Sequence, residues 1–248
     1  MVRQRSADVV PRMLHAAANV FARQGLKASR MADIAREMGV AHGSLYNYVE
    51  SKEALFLLLV DQWGRRDVDL GNRKLPLKTP SMESIVNRLR ERVDETFRLP
   101  SLDAALKRRR AADPQVELRA VVQELFDQTE RSRVGATILE RSAGDAPELF
   151  RLFFEHVRRA LFERMTRYVT IRIQAGVFHA ADAQTAARFI IESVTFFARH
   201  RHLDPHPQAL DDHAVRQTIV DLVTRSLAVA PKASRPERSV NRSVRRRS

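Results

Sequence analysis

One stretch of sequence decides the fold of this chain: residues 25–55, which read GLKASRMADIAREMGVAHGSLYNYVESKEAL. Its first half carries apolar residues at helical spacing, which predict one buried helix face: Met31, Ile34, Ala35 and Met38. Gly39 follows this face, and a glycine suits a helix end because it adopts a positive φ without steric cost. The pattern predicts a short helix that stops at a tight glycine turn.

A second short helix is predicted directly after the turn, with small and polar residues at its start: Ala41, His42, Gly43 and Ser44. We expect Leu45 and the aromatic pair of Tyr46 and Tyr48 to hold its inward side. A helix with small polar groups on its leading face enters the major groove of DNA without steric block. The two helices together predict a DNA-reading helix-turn-helix.

The composition of the chain favours an all-helical protein. Glycine and proline number only 8 and 10 among 248 residues, while Ala, Leu, Arg and Glu are common. The absence of cysteine excludes disulfide bonds and thiolate metal sites. The first residues lack the apolar core of a signal peptide, and the longest apolar run, residues 54–60, is far too short to cross a bilayer. We therefore expect a soluble, cytoplasmic protein with no membrane partner.

The net charge of +13 favours a polyanionic partner, but this charge is unevenly distributed. Residues 1–50 hold seven Lys and Arg against four acidic residues, whereas residues 231–248 hold seven against Glu237 alone. Because the last segment has no apolar face, we predict that it is a basic disordered tail. The charge alone is weak evidence for sequence-specific DNA binding, which rests on the helix-turn-helix pattern.

Helical patterns also cover the rest of the chain, and no strand pattern competes with them. Asp8 is predicted to cap a first helix that Gly25 ends, and Ser51 to cap a long helix that runs to about Leu70. Asp145 is predicted to start a later helix, with an early proline behind it. The predicted helices beyond the linker cover residues 81–99, 101–112, 115–142, 146–175, 182–202 and 211–229.

The order of these motifs resembles the DNA-binding domain of the TetR/AcrR family of bacterial transcriptional regulators. The matching residues are Met13-Leu14-His15-Ala16-Ala17, Val20-Phe21, Gly25, Ser29, Ile34-Ala35, Gly39-Val40, Gly43-Ser44-Leu45-Tyr46-Asn47-Tyr48-Val49 and Ser51-Lys52-Glu53-Ala54-Leu55. Two positions depart from the family pattern. Ala41 stands where the family usually has a Ser or Thr cap, and Arg30 where it often has a small hydroxyl residue.

The resemblance implies an all-α fold in four parts. Residues 1–50 would form an N-terminal three-helix helix-turn-helix domain, and residues 51–79 a connecting helix and linker. Residues 80–230 would form a helical effector-binding and dimerisation domain, before the basic tail of residues 231–248. The implied partners are double-stranded DNA, a small apolar or amphipathic effector and a second copy of the chain. No cofactor and no metal is expected.

The predicted DNA contacts lie on the helix-turn-helix and at the start of the connecting helix. We expect His42 or Ser44 to approach base edges, and Asn47 and Tyr48 to lie near phosphate oxygens. Lys52 resembles the family's phosphate-contacting lysine, at a helix start where the dipole also favours an anion. Four more residues complete the predicted interface: Ser29, Arg30, Gly43 and Tyr46. The structural alternatives are that Ser29 only caps a helix, that Tyr46 packs, and that Lys52 is an ordinary surface lysine.

Phenylalanines in the region of residues 80–180 fill a core or, as the resemblance implies, also line an apolar effector pocket. The candidates are Phe97, Phe126, Phe150, Phe153, Phe154 and Met165. Since family members usually dimerise through their last two long helices, the resemblance also implies a dimer interface of Phe189, Ile190, Val194, Phe197, Ile219, Leu222 and Val223. The cluster of His200, His202, His206 and His213 matches no tight metal motif, and we interpret these residues as ordinary loop histidines.

The function predicted from these features is a sequence-specific transcriptional regulator. It is most simply a repressor that a small-molecule effector releases from a pseudo-palindromic operator. An activator of the same family is the alternative, and a nonspecific architectural DNA-binding protein has less support because it would not explain residues 25–55. An enzyme is not predicted, since the sequence contains no Gly-x-Ser-x-Gly, Walker, dinucleotide or His-Glu-x-x-His motif.

Overall fold

The computed structural model describes residues 2–63, 73–144, 146–179, 182–206 and 208–229, with side chains described from residue 9 onward. These residues fold into helices, and within them the only extended pairings are two isolated bridges, Val49 with Leu77 and Phe178 with Ala228. The expected all-α fold is therefore confirmed. The predicted basic tail, residues 231–248, lies outside the described residues.

The N-terminal part contains three α-helices and one 3-10 helix: α1 (Val2–Ala28), α2 (Met31–Met38), the 3-10 helix His42–Asn47 and α3 (Lys52–Gln62). Gly25 breaks α1 with φ 75° and ψ 174°, so the first helix ends at the glycine as expected. The helix already begins at Val2, so the expectation that Asp8 caps it is wrong. An apolar stripe of α1 packs inward, and Phe21 meets Phe56 of α3 edge to face with ring centroids 5.4 Å apart.

Helix α3 begins where the sequence indicated but ends earlier. The Ser51 hydroxyl accepts a hydrogen bond from the Ala54 N–H at 3.2 Å, which confirms the predicted N-cap. Trp63 leaves the helical conformation with φ −57° and ψ 121°, so α3 stops at Gln62. The expected continuation to about Leu70 falls largely on residues 64–72, outside the described residues.

Eight α-helices follow the linker: α4 (Met82–Thr96), α5 (Pro100–Leu106), α6 (Pro114–Arg131), α7 (Arg133–Ala143), α8 (Pro147–Phe150), α9 (Arg159–Gln174), α10 (Ala183–Ala198) and α11 (Asp212–Leu227). A π-helical segment, Arg151–Arg158, joins α8 to α9, and the 3-10 helix His200–Leu203 follows α10. The helix predicted over residues 115–142 is two helices, because Ser132 leaves the helical region between α6 and α7. Ala146 holds the N-cap position of α8, and Asp145 lies outside the described residues.

Two apolar cores stabilise the molecule, and the boundary between them does not fall at the linker. The first core surrounds α1, α2 and α3, but it also takes in Ile85 and Leu89 of α4 and Ile138 and Leu139 of α7. The second core is built by α5, α6, α9, α10 and α11. Helices α4 and α7 therefore belong to the C-terminal part of the sequence while they pack on the N-terminal part of the structure.

The second core contains one fully buried arginine that ties three helices together. Arg172 of α9 donates to both carboxylate oxygens of Glu117 on α6, at 2.6 and 3.0 Å. It also donates to the carbonyls of Ala105 and Arg108 at 2.8 and 2.9 Å, and it lies 5.1 Å from the centre of the Tyr168 ring. Because a buried charge needs such a complete set of partners, this contact fixes how α5, α6 and α9 sit together.

Candidate nucleic-acid interface and the cavities behind it

The turn between the two short helices has the geometry that its glycine indicated. Gly39 adopts φ 71° and ψ 35°, in the left-handed region, and the Val40 N–H donates to the Ala35 carbonyl at 3.0 Å. The second helix, His42–Asn47, is a 3-10 helix, and we call it the reading helix. Leu45 anchors it in the first core with 1% of its surface exposed.

The leading face of the reading helix is open to solvent. His42, Gly43 and Ser44 are all exposed, and a Cβ atom built on Gly43 would meet no other atom within 4 Å. Asn47 is exposed at the other end of the helix, and Tyr48 is half-buried against the first core. The structure thus brings the predicted base-reading residues onto one accessible edge that is small enough to enter a major groove.

Tyr46 does not take the position expected from the sequence. Its side chain is 41% exposed rather than turned inward, and its ring meets the His42 ring edge to face at 5.2 Å. The Tyr46 hydroxyl lies 3.4 Å from His42 Nε2, so the two side chains form a pair on the outer face. The short 3-10 helix explains the difference, since its three-residue turns direct side chains differently from an α-helix.

Arg30 holds the N-cap position of α2 that the sequence assigned to Ser29. Ser29 is buried, and its hydroxyl donates to the Gly25 carbonyl at 2.5 Å, so its side chain closes the kink after α1. Arg30, which is exposed, holds the N-cap position of α2, and the Asp33 carboxylate accepts from its N–H at 3.2 Å. The expectation that Ser29 caps α2 is therefore wrong, and its buried hydroxyl is not placed to reach a phosphate.

Lys52 lies at the start of α3, as predicted, but its ammonium already has partners. Its Nζ donates to the Lys27 carbonyl at 2.7 Å and to the Ser29 carbonyl at 3.0 Å. These bonds join the start of α3 to the segment that links α1 and α2. Because an ammonium has three donors, one N–H remains for an anion such as a phosphate.

The linker is fastened to the end of the reading helix. The Leu77 N–H donates to the Tyr48 carbonyl at 2.8 Å, and the Glu50 N–H donates to the Leu77 carbonyl at 2.9 Å. The Glu50 carboxylate pairs with Lys78 and accepts from the Thr79 N–H at 3.2 Å. The hydrogen bond from Lys78 and then the bond from Thr79 hold the pKa of Glu50 below its ordinary value.

Two cavities lie behind this interface. The larger, which we call the junction cavity, has a volume of about 260 Å³ and is lined by α1, α3, α4 and α7. The smaller, which we call the inner cavity, has a volume of about 90 Å³ and lies between α4, α6, α7, α9 and α10. Trp63 and Leu139 line both cavities.

The predicted effector-pocket residues do not form one site. Phe97 and Phe153 line the inner cavity. Phe126 and Met165 are fully buried in the second core and line neither cavity, while Phe150 is 44% exposed. Phe154 packs on the first core beside Phe150 and Phe153.

The predicted dimer residues also separate into two groups. Ile190, Val194, Ile219 and Val223 are buried within the single chain, because they face the second core, and they are not available to a partner. Phe197 is half-buried against the same core. Phe189 and Leu222 are 46% and 60% exposed, and Phe196 on the same face of α10 as Phe189 is also exposed.

The histidines near α10 and α11 are held in separate contacts. His200 lies beside the buried Arg199 and 3.8 Å from Glu140, and His213 lies 2.8 Å from the Gln217 amide. Burial lowers the pKa of His200 and that of His202, with nearby arginines as the next cause. Across the part of the chain that the structure describes, no group of three metal-binding side chains is arranged to hold an ion.

No pattern in the sequence indicates the contact that joins the first helix to α7. The Leu26 N–H donates to the Ser142 hydroxyl at 3.0 Å, and a Cβ on Gly25 would lie only 2.9 Å from the Arg141 carbonyl oxygen. Leu26 and Ser142 lie more than a hundred positions apart in the chain, so no local pattern could reveal their contact. Helix α7 therefore lines both cavities and also touches the kink that precedes the helix-turn-helix.

Comparisons with known proteins agree with this arrangement. The family described as "Bacterial regulatory proteins, tetR family" matches residues 13–59, and the "AefR-like transcriptional repressor, C-terminal domain" matches residues 117–229. The comparison with curated protein sequences found no match. Across the described residues, no helix is long and apolar enough to span a membrane.

Three solved structures share the fold at low sequence identity. A tetR-family regulatory protein from Rhodococcus RHA1 is 20% identical with a TM-score of 0.50, over 90% of this chain and 98% of that one. The ketosteroid transcriptional regulator KstR2 of Mycobacterium tuberculosis is 19% identical with a TM-score of 0.55, over 89% and 95%. AibR, in complex with isovaleryl coenzyme A and operator DNA, is 18% identical with a TM-score of 0.50, over 86% and 96%. With its helix-turn-helix and its C-terminal helices both matched, this chain belongs to the TetR family of bacterial transcriptional regulators.

Proposed function

We propose that the protein is a cytoplasmic, homodimeric repressor that binds a pseudo-palindromic operator and leaves it when a small molecule binds. The proposal of DNA binding rests on one observation, namely that the anchored reading helix exposes the edge formed by His42, Gly43 and Ser44. Two such edges, one from each subunit, would enter successive major grooves about 34–36 Å apart. His42 and Ser44 would contact bases, while Asn47, Tyr48 and Lys52 would contact phosphates.

The proposed dimer uses the outer faces of α10 and α11. Large apolar side chains on these helices, Phe189, Phe196 and Leu222, are exposed in the single chain. An exposed apolar patch of this kind is typical of a subunit interface. A two-fold axis through these faces would place the same patch of each subunit against the other.

The release step is supported by the position of α7. This helix lines both cavities, and its C-terminal end accepts the hydrogen bond from Leu26 beside the kink of α1. A ligand that binds one position of α7 better than another would therefore change how the helix-turn-helix is held. AibR, which shares this fold, was solved in complex with both isovaleryl coenzyme A and operator DNA, so a protein of this fold can bind a small molecule as well as DNA.

Selection of bound duplexes from a random DNA pool tests the proposed function. We expect an inverted repeat to be enriched, because two identical reading helices contact two half-sites. Transcription in vitro from a promoter that carries the selected repeat should then decrease as the protein is added. A pool without enrichment would contradict sequence-specific binding, and increased transcription would favour the activator.

A further inference from the structure

The junction cavity lies where the helix-turn-helix domain meets the C-terminal helices. Its apolar walls include Leu14 and Ala18 of α1, Phe56 and Leu59 of α3, Leu89 of α4 and Ile138 of α7. A dry apolar cavity of about 150 Å³ is enough to bind benzene in a protein. At about 260 Å³, this cavity has room for a larger molecule of two fused rings.

One polar group inside the cavity has no partner. Gln62 lines the cavity with only 9% of its surface exposed, and its Oε1 atom has no hydrogen-bond donor among the described residues. A buried acceptor without a donor is unfavourable, so an occupant with one O–H or N–H group would stabilise this site. The ionisable side chains that line the cavity, His15 and Arg131, are exposed, so no charge is buried to attract an ionic ligand.

Trp63 forms the wall between the junction cavity and the inner cavity. Its ring packs against α7 at Gly135, where an added Cβ atom would be only 2.1 Å from the ring. Its carbonyl oxygen accepts a hydrogen bond from Arg92 of α4. Helix α7 thus contacts the indole while α4 holds the Trp63 backbone, and Trp63 lines the junction cavity, so a molecule bound there lies beside it.

From these contacts we propose that the junction cavity is a binding site for a neutral, mainly apolar molecule that donates one hydrogen bond to Gln62. The site is distinct from the inner cavity, where Arg158 and Arg199 are among the lining residues. Because its walls come from α1 and α3 as well as α7, its occupant contacts the DNA-binding domain directly. The effect of the occupant on DNA rests on the proposed function, whereas the binding site itself does not.

The probe for this site is decahydro-2-naphthol, a saturated bicyclic alcohol, with its methyl ether as the matched compound without a donor. Neither compound absorbs where tryptophan emits, and Trp63 is the single tryptophan of the chain. We expect the alcohol to change the Trp63 emission in a saturable way and to bind about five- to tenfold more tightly than the ether. Calorimetric titration of the full chain gives the two dissociation constants independently of fluorescence.

Three variants locate the site. Ala18→Leu fills the junction cavity and should weaken alcohol binding at least tenfold, while Ala136→Leu fills the inner cavity and should leave it unchanged. Gln62→Met removes the acceptor and should abolish the preference for the alcohol over the ether. Melting temperatures of the three variants verify that each is folded before its binding is compared.

Two results would overturn the site: equal affinities of the wild-type protein for alcohol and ether, or loss of binding in Ala136→Leu but not in Ala18→Leu. The coupling to DNA is measured separately, as the fall in affinity for the selected repeat when the alcohol is present. If the alcohol bound without any change in DNA affinity, the proposed coupling to DNA would be contradicted, but the binding site would not. Failure to select a repeat would contradict the proposed function and not the cavity.

Discussion

At the scale of single residues, two glycines shape the helix-turn-helix, and they are not equivalent: Gly25 lies at the kink before it, and Gly39 forms its turn. Gly39 has φ 71° and ψ 35° in open surroundings, whereas Gly25 has φ 75° and ψ 174° against the backbone of α7. The conformation of Gly25 is one that essentially only glycine adopts. Gly39 serves as a helix end, while Gly25 also sets the distance between α1 and α7.

The first prediction compares alanine substitutions at these glycines. Gly39→Ala should lower the free energy of unfolding by about 1–2 kcal/mol, the cost of the left-handed conformation for a residue with a Cβ. Gly25→Ala should cost about 3 kcal/mol or more, because the strain adds to the clash with the Arg141 carbonyl. Urea unfolding followed by circular dichroism measures both. Equal losses would contradict the close approach of Gly25 to α7.

The second prediction concerns Lys52, whose ammonium bonds two carbonyls and retains one donor. Lys52→Ala should weaken binding to all operator variants by similar factors and reduce the slope of log affinity against log salt by about one. Fluorescence anisotropy at several salt concentrations gives this slope. Lys107→Ala, on an exposed turn of the C-terminal part, is the matched control. A lower stability with an unchanged slope would make Lys52 a structural residue only.

At the scale of elements, the reading helix combines one buried anchor with an exposed edge. Leu45 is buried in the first core, while His42 and Ser44 face solvent. The Leu77 contact behind it fixes the position of its C-terminal end. This division allows changes on the exposed edge that do not disturb the fold.

The third prediction follows from that division. His42→Ala and Ser44→Ala should each relax the sequence preference at particular base pairs, with a loss of about 1–3 kcal/mol per contact. Asn47→Ala is the comparison, since a phosphate contact should change affinity equally for every sequence. Repeated selection with each variant shows which base positions lose their preference. If both variants kept the sequence preference of the wild-type protein, His42 and Ser44 would contact the DNA backbone and not the bases.

The sequence predicted those elements whose signals are local. The cap at Ser51, the turn at Gly39 and the buried face of α2 each depend on neighbouring residues, and all three are present. The direction of Tyr46 could not be predicted, because it depends on whether the reading helix is an α-helix or a 3-10 helix. The junction cavity and the bond between Leu26 and Ser142 join distant parts of the chain, and no spacing in the sequence reports them.

At the scale of the whole molecule, the boundary between the two cores does not coincide with the linker that divides the sequence into an N-terminal and a C-terminal part. Helices α4 and α7 contribute to the first core, so the DNA-binding part cannot move without a change in the packing of α7. The second core, in which the buried Arg172 pairs with the half-buried Glu117, forms the rest of the C-terminal part. Helices α4 and α7 therefore join the packing of the C-terminal part to that of the DNA-binding part.

The fourth prediction concerns the subunit interface. Leu222→Glu should convert the proposed dimer to monomer, because it places a charge in the centre of an apolar interface. Leu210→Glu is the control, since Leu210 is similarly exposed but lies outside α10 and α11. Sedimentation velocity gives the mass of each variant in solution. A dimer that survives Leu222→Glu would place the interface on another face.

Site-directed cleavage of DNA tests the central claim most directly, namely that the reading helix enters the major groove at two half-sites. The chain has no cysteine, so Asn47→Cys gives a single position for an iron chelate beside the reading helix. On the selected repeat we expect cleavage in two clusters about one helical turn apart, symmetric about the centre. Arg109→Cys, on the exposed turn after α5, should give no localised cleavage. Uniform cleavage from position 47, or localised cleavage only from position 109, would contradict the assignment of His42–Asn47 as the DNA-reading element.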